Sequence, residues 1–234
     1  TQGMSMELID QSPILVDRVY DRLRQAIALA DLAPGERIRQ AELAERLGVS
    51  RQPVSHALQL LKRDGLVEET GRKGLKVTEI DPVHLRQIYQ VRAALDGLAA
   101  GLAAARVAEG TVPEAELRRL AAILKEAERF DGDTPVAERI SLDVAFHNQV
   151  IVLSGNRRIA ETLEPQFSHM TRSMRLVLDI GGFRETAWEQ HREIARLIEA
   201  GDRAAEEAAR AHAENAGRET EARLTAGRTL RNTA

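Results

Sequence analysis

Two groups of residues in this 234-residue chain have types and spacings that chemistry could use. The first is Asp143 and His147 in "SLDVAFHNQV". On a helix, positions i and i+4 lie about 40° apart around the axis, so both side chains can enter one cavity. Of the six histidines, four stand at 147, 169, 191 and 212, in the second half of the chain. His191 in "WEQHREIARLIEAGD" and His212 in "AARAHAENA" fall on later helical segments that an antiparallel bundle would bring alongside. One carboxylate oxygen with three imidazole nitrogens is a donor set suited to Zn, Ni, Mn or another divalent ion. The same spacing also arises as an ordinary hydrogen bond on a helix surface, so the pattern by itself leaves both readings open. His169 has no paired carboxylate and is kept as a candidate residue lining an effector pocket.

The second group lies in "LAERLGVSRQPVSHALQLLKRDGLVEETGRKGLKV". Leu43, Ala44 and Leu47 share one helix face, and Gly48-Val49-Ser50 interrupts it. Ser50 can cap a new helix whose first turn tolerates Pro53, because an N–H there has no partner within the helix. Val54, Ala57, Leu58 and Leu61 then recur at i, i+3, i+4 and i+7, turning Arg51, Gln52, Ser55, His56, Gln59 and Lys62 outward. Gly65 ends this helix. The β-prone runs Leu66–Glu69 and Leu75–Thr78 follow, joined by a loop whose tip carries Arg72 and Lys73. Two helices joined by a short glycine-containing turn, the second presenting hydrogen-bonding side chains, form a shape that enters a DNA major groove. Ser50, Arg51, Gln52, Ser55, His56 and Gln59 are the candidate readers, and Arg72 and Lys73 the candidate contacts of the hairpin tip.

Charge agrees with this division. The chain carries a net −3, yet residues 37–76 hold nine Lys and Arg against five Asp and Glu, a local +4 that leaves −7 for the rest. A basic module on an acidic body suits a protein that meets phosphates with one part only. With no cysteine and no apolar run near membrane-spanning length, nothing suggests disulfides, a bilayer span or secretion, and a cytoplasmic protein is expected.

The elements that must position these groups are mostly helical. Upstream, "SPILVDRVYDRLRQAIALADLAPGERI" supplies a third helix closed by Ala33-Pro34-Gly35, with Leu15, Val19, Leu23, Ile27 and Leu29 as candidate core positions. After Asp81-Pro82 strand signals vanish. Six helices are expected over 82–107, 112–130, 135–154, 157–180, 184–200 and 202–227, broken at glycines; their short connections imply an antiparallel bundle. The fold class is therefore mainly α: a winged helix-turn-helix over 11–80 and an all-α bundle over 81–228, with a tail at 229–234. Thr1-Gln2-Gly3 ahead of Met4 reads as the remnant of an expression tag, Met6 could equally be the native start, and residues 1–10 are set aside.

These motifs carry a resemblance. "PGERI", "ELAERLGVSRQPV" and "DGLVEE" resemble the winged helix-turn-helix of the GntR family of bacterial transcription regulators. "VRAALDGLAAGLAA", "DVAFHNQVIVLSGN", "EQHREIARLIEAGD" and "AHAEN" are similar to the FCD effector domain of its FadR-like branch, with six helices suiting the VanR-like subgroup. The resemblance implies a homodimer on operator DNA with an imperfect palindrome, its affinity changed when a small organic acid enters the bundle. It implies a metal held by Asp143, His147, His191 and His212, with Arg92 facing the pocket as an effector-binding residue. An i,i+4 salt bridge with Asp96 is the other reading of Arg92. Two departures stand out: "SRQPVSHAL" places Ser55 and His56 where the family commonly has Arg and Glu, and Asp96 stands where Glu is commoner. A repressor is the leading expectation. A metal sensor is the alternative, and a metal-dependent hydrolase a distant one, since HExxH, GxxxxGK and GxSxG are all lacking.

Overall fold

The computed structural model describes residues 13–71, 74–181 and 185–232. The segment 1–10, the hairpin-tip pair Arg72 and Lys73, the break at Gly182 and the last two residues of the tail lie outside the described residues. The chain divides into two compact units, residues 1–79 and 80–234.

The first unit contains α1 (Pro13–Ala28), β1 (Arg37–Ile38), α2 (Gln40–Leu47), α3 (Arg51–Arg63), β2 (Val67–Thr70) and β3 (Gly74–Val77). Its core is the aliphatic stripe of α1 set against that of α3: Val19, Leu23 and Ile27 with Val54, Leu58 and Leu61, all buried. Each such side chain, removed from water, contributes about 1.5–3 kcal/mol. Leu15 is exposed and Leu29 only half-buried, so the expected core loses both. The helix also ends earlier than its loop residues imply: it stops at Ala28, and Ala30 turns the chain with φ 61°. Both helices of the motif end in the same hydrogen-bonded turn. Val49 N–H reaches the Ala44 carbonyl around Gly48, and Leu66 N–H reaches the Leu61 carbonyl around Gly65, with φ 65° and 72° at the two glycines. β3 is central in a three-stranded antiparallel sheet of order β1-β3-β2, pairing Val67 with Val77 and Ile38 with Leu75. The hairpin is where the β-prone runs placed it, shifted by one residue.

The second unit is six helices among the described residues: α4 (Pro82–Ala108), α5 (Glu114–Ala127), α6 (Val136–Ser154), α7 (Arg157–Gly181), α8 (Glu185–Glu199) and α9 (Ala204–Asn232). α4 starts where Asp81 accepts a hydrogen bond from Val83 N–H at 3.1 Å and Pro82 occupies the first turn. α6 stops at Gly155, φ 69°, where Arg106 donates to the Leu153 carbonyl at 2.6 Å. With few aromatic residues, the core relies on close helix approach. Ala99, Ala100, Ala103 and Ala104 of α4 are fully buried against Phe146 and Leu153 of α6, Ile194 and Ile198 of α8, and Ala205 and Ala209 of α9. Gly217 lets α9 lie on Tyr89, where a Cβ would meet the tyrosine Cβ at 2.7 Å. None of the described helices is long and apolar enough to cross a membrane.

Candidate functional site

In the first unit α3 exposes one polar face. Arg51, Gln52, His56 and Gln59 are exposed and Ser55 half-buried, while Val54, Ala57, Leu58 and Leu61 face the core. Ser50 takes the cap position with extended backbone, but its side chain makes no capping bond. Pro53, the third helical residue, has no N–H to donate, which leaves Gln52 N–H as the one remaining donor for such a bond. Lys62, on the same helix, is tied to Glu69 at 2.5 Å.

In the second unit the helices bring three imidazoles together. His147 from α6, His191 from α8 and His212 from α9 are all buried, and one ring nitrogen of each lies within 4.8 Å of the others. His191 Nε2 is 3.0 Å from His212 Nε2 and 3.7 Å from Asp143 Oδ1; His147 Nε2 is 3.9 Å from Asp143 Oδ2. Donors of one tetrahedral ion with bonds of about 2.0–2.2 Å stand roughly 3.3–3.6 Å apart, so these separations bracket a coordination shell. Among the described residues His147 Nε2 has no hydrogen-bond partner although it is buried, and a cation at this point would supply one. His191 Nδ1 is also without one, held between the Phe146 ring, stacked at 4.1 Å, and Trp188. Burial, and then the neighbouring His212 and His147, push His191 well below its ordinary pKa. A neutral imidazole offers the lone pair that a metal needs.

Two of the rings are oriented from behind. Asp96 Oδ2 lies 3.3 Å from His147 Nδ1, and Gln190 Oε1 lies 2.7 Å from His212 Nδ1. Accepting an Nδ1–H fixes the tautomer that leaves Nε2 free for an ion. The same Asp96 oxygen accepts from Arg92 Nε at 3.0 Å, both residues being buried. Burial works against both charges, and the pairing outweighs it: Asp96 is held at about 2 by Arg92 and His147, and Arg92 is raised by Asp96, Tyr89 and Asp143.

A cavity of about 90 Å³ adjoins the cluster at His212, with Arg92 and Asp143 also in its wall and Tyr89, Met174 and Trp188 as its larger apolar surfaces. Arg92 both makes the salt bridge with Asp96 and stands in the cavity wall. His169 does not belong here. It packs edge-on against His84 at 5.6 Å and is not among the residues that line the cavity. Asp96, Gln190 and Arg139 were not singled out for the site by their spacing. Arg139 carried a usable signal, since it precedes Asp143 by one turn on the same helix face.

Comparison with known proteins decides the class. The model of the bacterial regulatory proteins of the gntR family matches residues 15–77, and that of the FCD domain matches residues 87–224. The chain belongs to the GntR family. It is 32% identical over 195 residues to the HTH-type transcriptional regulator YdhC of Bacillus subtilis, covering 82% of this chain and 83% of that one. It is also 32% identical to the Nta operon transcriptional regulator of Aminobacter aminovorans, covering 70% and 74% of the two. Among solved structures, a GntR regulator from Rhodococcus superposes with a TM-score of 0.71 at 25% identity, over 88% of this chain and 96% of the other. McbR/YncC of Escherichia coli shares the fold, with a TM-score of 0.73 at 20% identity over 94% and 99%. This GntR-family chain is thus a transcription regulator with a DNA-binding helix-turn-helix and an FCD effector domain, not an enzyme. Its histidine triad could hold a metal ion.

Proposed function

We propose that this regulator is a homodimeric repressor whose second unit holds a divalent ion and releases operator DNA when a small organic acid enters the cavity. The observation that carries the reading is the imidazole cluster that shares His212 with the wall of that cavity, beside a buried guanidinium. His147, His191, His212 and Asp143 are the ligands, with Zn, Ni and Mn all suited to them. When bound, the ion supplies a Lewis-acidic point for a carboxylate oxygen, and Arg92 adds charge-assisted donation beside it. An effector shifts operator affinity only through different affinities for the DNA-competent and incompetent states. Val91 and Leu98, one heptad apart on α4 and both exposed, support a second copy packing on that helix.

On the DNA side, Arg51, Gln52, Ser55, His56 and Gln59 read bases across α3. Ser50, its hydroxyl unused by the helix, and the tip residues Arg72 and Lys73 meet phosphate or minor groove. The relative that regulates the Nta operon supports an operon-level target. The operator is expected as an imperfect palindrome upstream of the genes beside this one. Gel-shift titration of that DNA tests the reading: binding should weaken when the metal-loaded protein is given small carboxylic acids. Retained binding with every acid tried, but loss on treatment with a mild chelator, would instead make the ion itself the signal. Arg51→Ala should cost the specific complex about 1–3 kcal/mol, roughly a 5- to 150-fold weaker dissociation constant, while leaving the protein folded. Wild-type affinity in the same titration would remove Arg51 from the interface.

A further inference from the structure

The two acceptors that stand behind the imidazoles differ in charge. His147 Nδ1 meets the carboxylate of Asp96 at 3.3 Å, whereas His212 Nδ1 meets the carboxamide of Gln190 at 2.7 Å. They also differ in place. Asp96 is buried against Arg92 and is not among the residues lining the cavity, while Gln190 is half-buried and lines it together with His212.

The direction of the Gln190 hydrogen bond follows from the cluster. His191 Nε2 and His212 Nε2 stand 3.0 Å apart, so an ion held between them would draw on both lone pairs. An imidazole that offers its Nε2 lone pair carries its proton on Nδ1, and the carboxamide must then present Oε1 to it. That leaves the two hydrogens of Gln190 Nε2 for another acceptor; among the described residues this nitrogen makes no hydrogen bond.

The other polar groups of the wall limit what that acceptor can be. Its ionised residues are Arg92 and Arg139 against Asp143 and Glu219, two guanidiniums and two carboxylates. Arg92 is paired with Asp96, Arg139 donates to the carbonyls of Asp131 and Gly132, and Glu219 accepts from Arg223 at 2.7 Å. With these charges offsetting one another, a divalent ion at the cluster sets the sign of the charge at the His212 end. A carboxylate at position 190 would hold His212 equally well, but it would turn an anion away.

We propose that Gln190 is a specificity-determining residue that serves both sides at once: its Oε1 holds His212 in the ion-binding tautomer, and its Nε2 donates to the carboxylate of the effector. Its neutrality is the essential property. Gln190 orients a ligand imidazole, as Asp96 does for His147, without placing a negative charge where that of the effector must go. This rests on the reading that the cluster takes a divalent ion and the cavity an organic acid.

The test compares wild type, Gln190→Glu and Gln190→Met as full chains in two measurements. One is zinc affinity by competition with a chelating dye; the other is calorimetric titration of the zinc-loaded protein with acetate, butyrate and succinate. Gln190→Glu keeps the shape and the acceptor, and a carboxylate behind an imidazole raises its basicity, so zinc should bind about 10-fold more tightly. The acid that wild type binds best should bind this variant about 10- to 100-fold more weakly, for want of the N–H and against a like charge. Gln190→Met lacks both atoms, so both affinities should fall, by about 10-fold each. Opposed shifts in Gln190→Glu are the signature, because a side chain that only supports the fold would move both affinities the same way. A Gln190→Glu protein that takes the acids as wild type does, or that loses zinc and acid together, would overturn the proposal and leave the readings beneath it standing. Wild type that binds zinc but none of the three acids would overturn the effector reading and the proposal with it, and wild type that binds no zinc would do the same to the metal reading. Should Gln190→Glu fail to fold, Gln190→Met decides: acid affinity equal to that of wild type would overturn the proposal.

Discussion

His191→Ala should empty the metal centre while leaving the helix-turn-helix able to bind DNA. Wild type purified without chelators is expected to carry roughly one divalent ion per chain, and the variant a small fraction of that. The argument is coordinative. His191 is fully buried at the middle of the cluster, with its Nε2 facing both His212 and Asp143. Removing it deletes one of four donors and opens a space beside Phe146 and Trp188 through which water can reach the ion. If His191 were only a packing residue, its loss would cost a cavity or a hydrogen bond, on the order of 1–3 kcal/mol, and metal content would not move. Stability gives an independent reading. An ion that binds the folded state alone raises its stability, so chelation should lower the melting temperature of wild type and hardly affect that of the variant. Elemental analysis finding no metal in wild type would end the metal assignment and leave the regulator.

That this cluster of side chains could be anticipated at all depended on the kind of signal each residue carries. Asp143 and His147 are an i,i+4 pair, which one helix expresses in the sequence. His191 and His212 joined them through topology alone, because short connections make an antiparallel bundle. The glycines that punctuate it are physical stops: Gly110, Gly155 and Gly201 adopt φ of 67°, 69° and 68°, where other residues are strained. β1 was not legible, since a two-residue strand has no periodicity and exists only through pairing with Leu75 and Lys76. His169 shows the converse: a helical register places a residue on a face but does not say which neighbours that face meets, and His84 is one of them. Asp96 was seen as a variation within α4, yet its carboxylate joins Arg92 to His147 across two helices. Contacts between elements are what a single chain read in one dimension conceals.

That carboxylate sets the last expectation. Asp96→Asn should destabilise the second unit by about 3–5 kcal/mol, because it leaves the Arg92 guanidinium buried without its counter-charge. Asn keeps the volume and an oxygen able to accept from Arg92 Nε or His147 Nδ1, so the loss isolates the charge. For a protein of this size, about 2–4 °C of melting temperature accompanies each kcal/mol, which puts the expected drop near 10 °C by differential scanning calorimetry. The pH dependence has a definite sign. The folded-state pKa of Asp96 is depressed, to about 2, so its contribution is present above the ordinary carboxyl range and is lost only as pH falls through that value. The gap between wild type and variant should therefore stay constant from about pH 5 to 8. Metal affinity should fall too, by about 10- to 100-fold, because a neutral amide behind His147 lowers the basicity of its Nε2. A variant that melts with wild type would mean that Arg92 finds its counter-charge elsewhere, with Asp143 the group already bearing on it.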